Sequence, residues 1–268
     1  MFNYRVGITC ANPMILQILA SLLLEDWCKV TEENGEYYWS SSFFETLPNG
    51  LEVANKANQY LPALNGLVEL HIAYAPKIVR GTKIFFTNEA GGTGAYLEGS
   101  ARLPISYNIS ISEEELKQRQ QKWVSLVEVW TKQTVGTSDA LNNALTHFGE
   151  EITWNSLYNL YEIIKQDYNL SQGITNSRNY VLLPEQWTII NEKNREKDFT
   201  ESANNAYISG ITSARHSLAT SDRAEKVEGS AYVEVTRNNG RKEHILPMSL
   251  REARDFVAYI LVQWIASK

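Results

Sequence analysis

The 268-residue chain has only two cysteines, Cys10 and Cys28, only seven prolines and no long hydrophobic run. So few cysteines exclude a disulfide scaffold and fit a reducing compartment, with each thiol expected as a small buried hydrophobe. The longest apolar stretch, residues 14–24, is interrupted by Gln17 and Ser21 and falls well short of the roughly twenty residues that a bilayer-spanning helix needs. A secretory leader would need a basic start and a small-residue cleavage site, but a single Arg5 precedes the stretch and Glu25-Asp26-Trp27 follows it. An intracellular, cytoplasmic protein without a membrane anchor is therefore expected.

Positive charge is also scarce. The formal charge is −6, and residues 1–111 carry seven Lys/Arg against ten Asp/Glu, while residues 112–268 carry eighteen against twenty-one. Neither part is a basic module of the kind that grips duplex nucleic acid over its whole surface, although a local basic groove stays open. No phosphate loop is present: Gly91, Gly92 and Gly94 lie between two strand-like segments, where a hairpin turn is expected, and not between a strand and a helix. The four histidines, His71, His147, His216 and His244, are widely separated and have no Cys or His partner at ligand spacing, so neither a metal nor a cofactor is expected.

What the chain does have is apolar and aromatic material, 43% hydrophobic residues with seven Trp and fourteen Tyr, enough for one large domain or two modest ones. Residues 4–9 are β-prone, and Asn12-Pro13 offers a cap and first-turn proline for a helix whose buried face is Met14, Ile15, Ile18, Leu19, Leu22 and Leu23. Asn34-Gly35 between residues 29–31 and 36–44 predicts a β-hairpin. Residues 51–72 follow a helical period with a kink or break expected at Pro62, and residues 77–87 and 95–105 read as a further pair of strands. This first part, residues 1–111, is expected to be a small mixed α/β module.

Ser112-Glu113-Glu114-Glu115 resembles a capping box that opens a second, mainly helical part, residues 112–268. Trp123, Leu126, Val127 and Trp130 mark one stripe, Leu141, Leu145 and Phe148 another, and residues 153–167 a broad aromatic face suited to the centre of a bundle. Helices are also expected from Leu183-Pro184-Glu185 and over residues 198–219. A hairpin is expected over residues 229–245, around Asn238-Asn239-Gly240, and a C-terminal helix capped at Ser249 turns Ala253, Phe256, Val257, Ile260, Leu261 and Trp264 inward. The fold class is thus α+β, with a hairpin inserted in a helical bundle.

One pair stands out chemically. Arg215-His216 follows Ser209-Gly210-Ile211-Thr212-Ser213-Ala214, whose small side chains allow a helix, a second subunit or a ligand to approach closely. A guanidinium that holds phosphate beside an imidazole that moves a proton near neutral pH can cleave RNA through its own 2′-hydroxyl. The same two side chains can equally bond the carbonyls at a helix C-terminus. Glu162, within the aromatic helix, is a candidate partner for Arg215 or an exposed partner of Lys165. Asn204, three turns before the pair, is a candidate supporting group.

On residues 154–167, on residues 199–219 with Arg215-His216, and on the closing helix after Pro247-Met248, the C-terminal part resembles the HEPN superfamily of helical ribonucleases and nucleotide-binding proteins. The resemblance implies binding of RNA or nucleotide, metal-independent RNA cleavage by Arg215 and His216 in a defence or toxin-type system, and a homodimer that builds its groove from two protomers. The surplus of apolar helical faces also points to a homodimer. The family's motif ends in a catalytic His four to six residues after its Arg, where this chain has Thr220, Ser221 and Asp222. Arg178-Asn179 is a second partial match without a following His. The alternative is a non-catalytic scaffold whose helical part is degenerate and whose N-terminal sheet recruits a protein partner.

Overall fold

In a computed structural model of the chain, the residues described are 2–21, 28–73, 75–88, 90–97, 129, 139–212, 224–226, 233–236 and 242–268. The fold is α+β. It divides into two compact units, Met1–Glu150 and Glu151–Lys268. The boundary expected near residue 111 lies outside the described residues.

The first unit is built on a five-stranded antiparallel sheet in the order β2-β3-β1-β4-β5, with β1 Phe2–Cys10, β2 Lys29–Glu33, β3 Glu36–Ser40, β4 Ile78–Asn88 and β5 Thr93–Leu97. The β2–β3 hairpin turns through Asn34 and Gly35, both at positive φ (54° and 79°). That is the backbone shape for which an Asn-Gly pair is suited. The β4–β5 turn is tied by Asn88, whose Oδ1 accepts the Gly92 amide at 2.7 Å, while Gly91 takes φ 80°.

Side chains alternate across the sheet. Tyr4, Val6, Ile8, Tyr37, Trp39 and Ile84 face inward and are buried. They meet the helices α2 (Ser42–Glu45) and α3 (Gly50–His71), while α1 (Pro13–Ser21) lies against β1 and β2. Phe43 and Phe44 belong to α2 and do not extend the strand, because the Ser41 side chain accepts the Phe43 amide at 3.2 Å and starts a helical turn.

Helix α3 runs on through Pro62, so of the kink or break expected there the break does not occur. Two contacts just beyond Pro62 anchor it. Asn65 accepts the Ile78 amide at 2.7 Å and donates to the Ile78 carbonyl at 2.9 Å, fixing the helix to the start of β4. On the other side α3 packs along α4 (Asp139–Gly149), and the contact is backbone to backbone: a methyl group added at Gly66 would sit 2.0 Å from the Leu145 carbonyl oxygen, and one at Gly149 would sit 1.9 Å from that of Pro62.

The second unit is helical apart from short strands. Helix α5 (Trp154–Ser171) starts at a capping box between Thr153 and Ser156; α6 (Glu185–Thr188) is a single turn, shorter than the helix its Leu-Pro-Glu start suggested. α7 (Glu196–Thr212) and α8 (Leu250–Ala266) complete it. β6 (Ile189–Ile190) and β7 (Lys193–Asn194) form a small ribbon, and β8 (Ala224–Lys226), β9 (Val233–Thr236) and β10 (Lys242–Ile245) pair antiparallel in the order β10-β9-β8.

The core of this unit is aromatic. Tyr161, Phe199 and Phe256 bring α5, α7 and α8 together through ring centroids 5.4 Å and 5.3 Å apart. Trp264 is buried and donates its indole N–H to Asp167 at 2.9 Å. Among the described residues no helix is long and apolar enough to cross a membrane.

Because neither carbonyl opposite Gly66 or Gly149 can move without parting the helices, Gly66→Ala and Gly149→Ala should each destabilise the first unit by about 2–3 kcal/mol. That corresponds to roughly 5–10 °C in Tm. Calorimetry of both variants checks this, and unchanged transitions would contradict the close approach.

Candidate functional site

In the first unit the outward face of the sheet carries the chemistry. Directly opposed residues share a face, so the pairs Arg5–Ser40, Gly7–Tyr38 and Arg5–Phe85 place Arg5, Gly7, Thr9, Glu36, Tyr38, Lys83 and Phe85 on the side away from α3. Arg5 lies over the rings of Tyr38 and Phe85, 5.5 Å and 6.0 Å from their centroids, and forms an ion pair with Glu33. Lys83 Nζ is 2.6 Å from Glu36 Oε1, and the Tyr38 hydroxyl donates to the other oxygen of the same carboxylate.

The middle strand makes room for this bridge. The β1–β4 register slips between Val6 and Ile8, and Gly7 and Gly81 lie at the slip, where a methyl group on either would meet a carbonyl oxygen of the other strand at 3.1 Å. The result is a cleft of about 330 Å³. Gly7 and Gly81 line it together with Thr9, Cys10, Pro13, Leu16, Glu36, Tyr38 and Lys83, and Ile8, Gly35, Tyr37 and Thr82 complete the lining, Ile8 and Tyr37 at the end of the β1–β3 pairing. That volume is at the small end of the range for ligand pockets, about 300–1,000 Å³.

The electrostatics follow from the contacts. The Lys83 hydrogen bond, helped by the Tyr38 hydroxyl, holds the Glu36 carboxyl below its ordinary value. Burial, with Glu36 alongside, pushes the Tyr38 phenol up to about 12. Burial also raises the Cys10 thiol, although the Asn12 and Ala11 amides offset part of that effect, and its sulfur lies 3.4 Å from the Pro76 carbonyl. Near neutral pH the Lys83–Glu36 pair therefore shares the cleft with two neutral phenols, Tyr37 and Tyr38, and a neutral thiol.

In the second unit the buried carboxylate is Glu196, 3% exposed, at the first turn of α7. Its Oε1 accepts the Tyr161 hydroxyl at 2.7 Å and the Leu183 amide at 3.3 Å, while Oε2 is buried without a hydrogen-bond partner. Burial raises the Glu196 carboxyl above its ordinary value, outweighing the Tyr161 bond, the Leu183 amide and the Lys165 charge. Burial raises the Tyr161 phenol as well, and Glu196 adds to it.

The residues singled out in the sequence fall as follows. Glu162 is half-buried on α5 beside the Tyr158 hydroxyl, whose ionisation is resisted by burial and then by Glu162. Asn204 is exposed on α7. Arg215 and His216 lie outside the described residues, and so does any pairing of Glu162 with Arg215. Arg178, in the second partial motif, is exposed in a 3₁₀ turn, Ser177–Asn179. His147 is half-buried and lies 3.8 Å from Glu150.

Among the described residues no three His, Cys, Asp or Glu side chains gather as metal ligands. The pattern of the sequence did not point to Glu196, which sits in a charged run, Asn191 to Asp198, that looks solvated. Nor did it point to Gly7, Tyr38 and Lys83, which come together only through strand pairing. Set beside family models, curated proteins and solved structures, the chain matches none of them.

Glu196 binds a proton in the folded chain at pH values where the unfolded chain has released it. Its contribution thus favours the fold below the ordinary carboxylate range and is lost as pH rises through the raised value. Glu196→Gln keeps an acceptor for Tyr161 and Leu183 and cannot ionise. Its Tm should match the parent's near about pH 4 and exceed it increasingly towards about pH 8. A parent that gains on the variant with rising pH would show that Glu196 is stabilised as the anion.

Proposed function

We propose that the protein is a binding protein whose N-terminal sheet holds a ligand on its outward face, with the helical unit as its scaffold. The observation that carries this reading is the glycine-floored cleft. Gly7 on the middle strand and Gly81 beside it on β4 bring bare backbone to the cleft, between the Lys83–Glu36 bridge and the apolar side chains of Leu16 and Pro13. An apolar concavity with a few convergent polar groups is the usual form of a small-molecule site.

Saturation-transfer NMR with a fragment library should therefore yield binders that compete for one site. Those binders should be lost in Gly81→Val and in Thr9→Tyr, each of which enlarges a residue lining the cleft. Circular dichroism separates loss of binding from loss of fold. Variants that keep the same binders as the parent would overturn the reading.

A second reading is favoured by Arg215-His216, which follows the last described residue of α7 by three positions. In it the helical unit is a HEPN-like bundle with an inserted hairpin that binds RNA or nucleotide as a homodimer and cuts RNA without a metal. The order of α5, α7 and α8, joined through Tyr161, Phe199 and Phe256, is compatible with it. His216→Ala should then lower RNA cleavage by roughly 10²- to 10⁴-fold with the fold intact, Arg215→Ala should weaken binding in a salt-dependent way, and EDTA should change nothing. Single-stranded RNA left uncut by the purified protein would remove this reading and leave the scaffold.

A further inference from the structure

The charges at the mouth of the cleft narrow the class of ligand that the proposed binding site accepts. Lys83 and Glu36 reach towards each other from β4 and β3 across β1, where Gly7 has no side chain to obstruct them, and they meet at 2.6 Å. Their side chains are 43% and 51% exposed, so each keeps hydrogen-bonding capacity towards a ligand: an ammonium has three donors and a carboxylate about four acceptor sites. A purely anionic ligand drawn to Lys83 would bring its charge against Glu36, and a purely cationic one drawn to Glu36 would meet Lys83. Each would lose to repulsion much of what it gained.

A ligand with both charges on one carbon avoids this conflict. In an α-amino acid the ammonium nitrogen and the carboxylate oxygens are separated by about 2.5–3.5 Å, set by the bonds at the α-carbon. That spacing matches the Lys83–Glu36 pair, so the four charges can close a ring in which every neighbour is of opposite sign. The hydroxyl of Tyr38 fixes one Glu36 oxygen and so orients the carboxylate before a ligand arrives, which lowers the ordering cost of binding.

Beyond the charges, Leu16, Pro13 and the Tyr38 ring offer an apolar wall, and the volume of about 330 Å³ has room for a side chain. Resting on the reading of the cleft as a binding site, we infer that it takes a zwitterionic ligand of the amino-acid class, with an apolar or aromatic side chain. The carboxylate lies on Lys83, the ammonium on Glu36 and the side chain against the Leu16 wall. Lys83 and Glu36 are then the specificity-determining residues.

Calorimetric titration of the full chain near neutral pH with L-phenylalanine, phenylethylamine and 3-phenylpropionate tests this, because the three probes share a ring and differ only in charge. Phenylalanine should bind roughly tenfold tighter than either analogue, the increment expected of one charge-assisted hydrogen bond. Lys83→Gln should erase its advantage over phenylethylamine, and Glu36→Gln its advantage over 3-phenylpropionate. Both positions are exposed, so the fold is retained, and the Tm of each variant verifies it.

Three probes of equal affinity, or preferences untouched by the two variants, would overturn the zwitterion assignment while the cleft stands as a binding site. The assignment also falls, and the cleft again stands, if library fragments occupy the cleft and none of the three probes does. If neither fragments nor probes bind, the site itself fails and the assignment fails with it.

Discussion

The lack of a side chain at position 7, on the middle strand of the N-terminal sheet, is the constraint on which the first unit's outward face depends. β1 is hydrogen-bonded on both sides, to β3 and β4, so a residue there can neither twist away nor expose an edge. With glycine at that point and Gly81 beside it on β4, the strands slip register and the Lys83–Glu36 bridge passes over bare backbone. A larger residue at 7 would press on the Lys83 carbonyl and close the cleft at once. The same absence creates the space and allows the charges to meet, so geometry and electrostatics there have a single origin.

The helical unit is organised around a different constraint, a buried carboxyl. Glu196 accepts the hydroxyl of Tyr161, one member of the Tyr161–Phe199–Phe256 cluster, and also the Leu183 amide, so one side chain ties α5, α7 and the segment before α6 together. Further along α7, Asp198 accepts the Leu246 amide and Ser202 the Met248 amide, at 2.9 Å and 2.8 Å. The first two turns of α7 therefore fix the approach to α8 as well. That a carboxyl with one unpartnered oxygen is retained in this position fits its being held protonated, since burial of the charged form is the larger cost.

How much of this was legible in the sequence depends on the range of the interaction. Asn34-Gly35 predicts its own hairpin because the positive φ values are a local demand. Ser249 with Glu252 predicts the start of α8 because both halves of the capping box lie within one turn. The inward stripe of α8 follows for the same reason, from Phe256 through Ile260 to Trp264. At Pro62 a break did not follow because the local cost was visible and its compensation was not: Asn65 on Ile78, and Gly66 against Leu145, are contacts between distant parts of the chain. The cleft and Glu196 were invisible on the same grounds, since Gly7 and Gly81 acquire meaning only when β1 pairs with β4, and Glu196 reads as one more solvated charge until Tyr161 covers it.

The central claim, that the space above Gly7 and Gly81 is a ligand site, is tested most directly by intermolecular nuclear Overhauser effects on the uniformly labelled full chain with L-phenylalanine. A ligand seated there gives contacts from its ring and α-proton to the α-protons of Gly7 and Gly81 and to the side chain of Leu16. Ligand contacts confined to the helical unit, or none to the two glycines at saturating ligand, would contradict it.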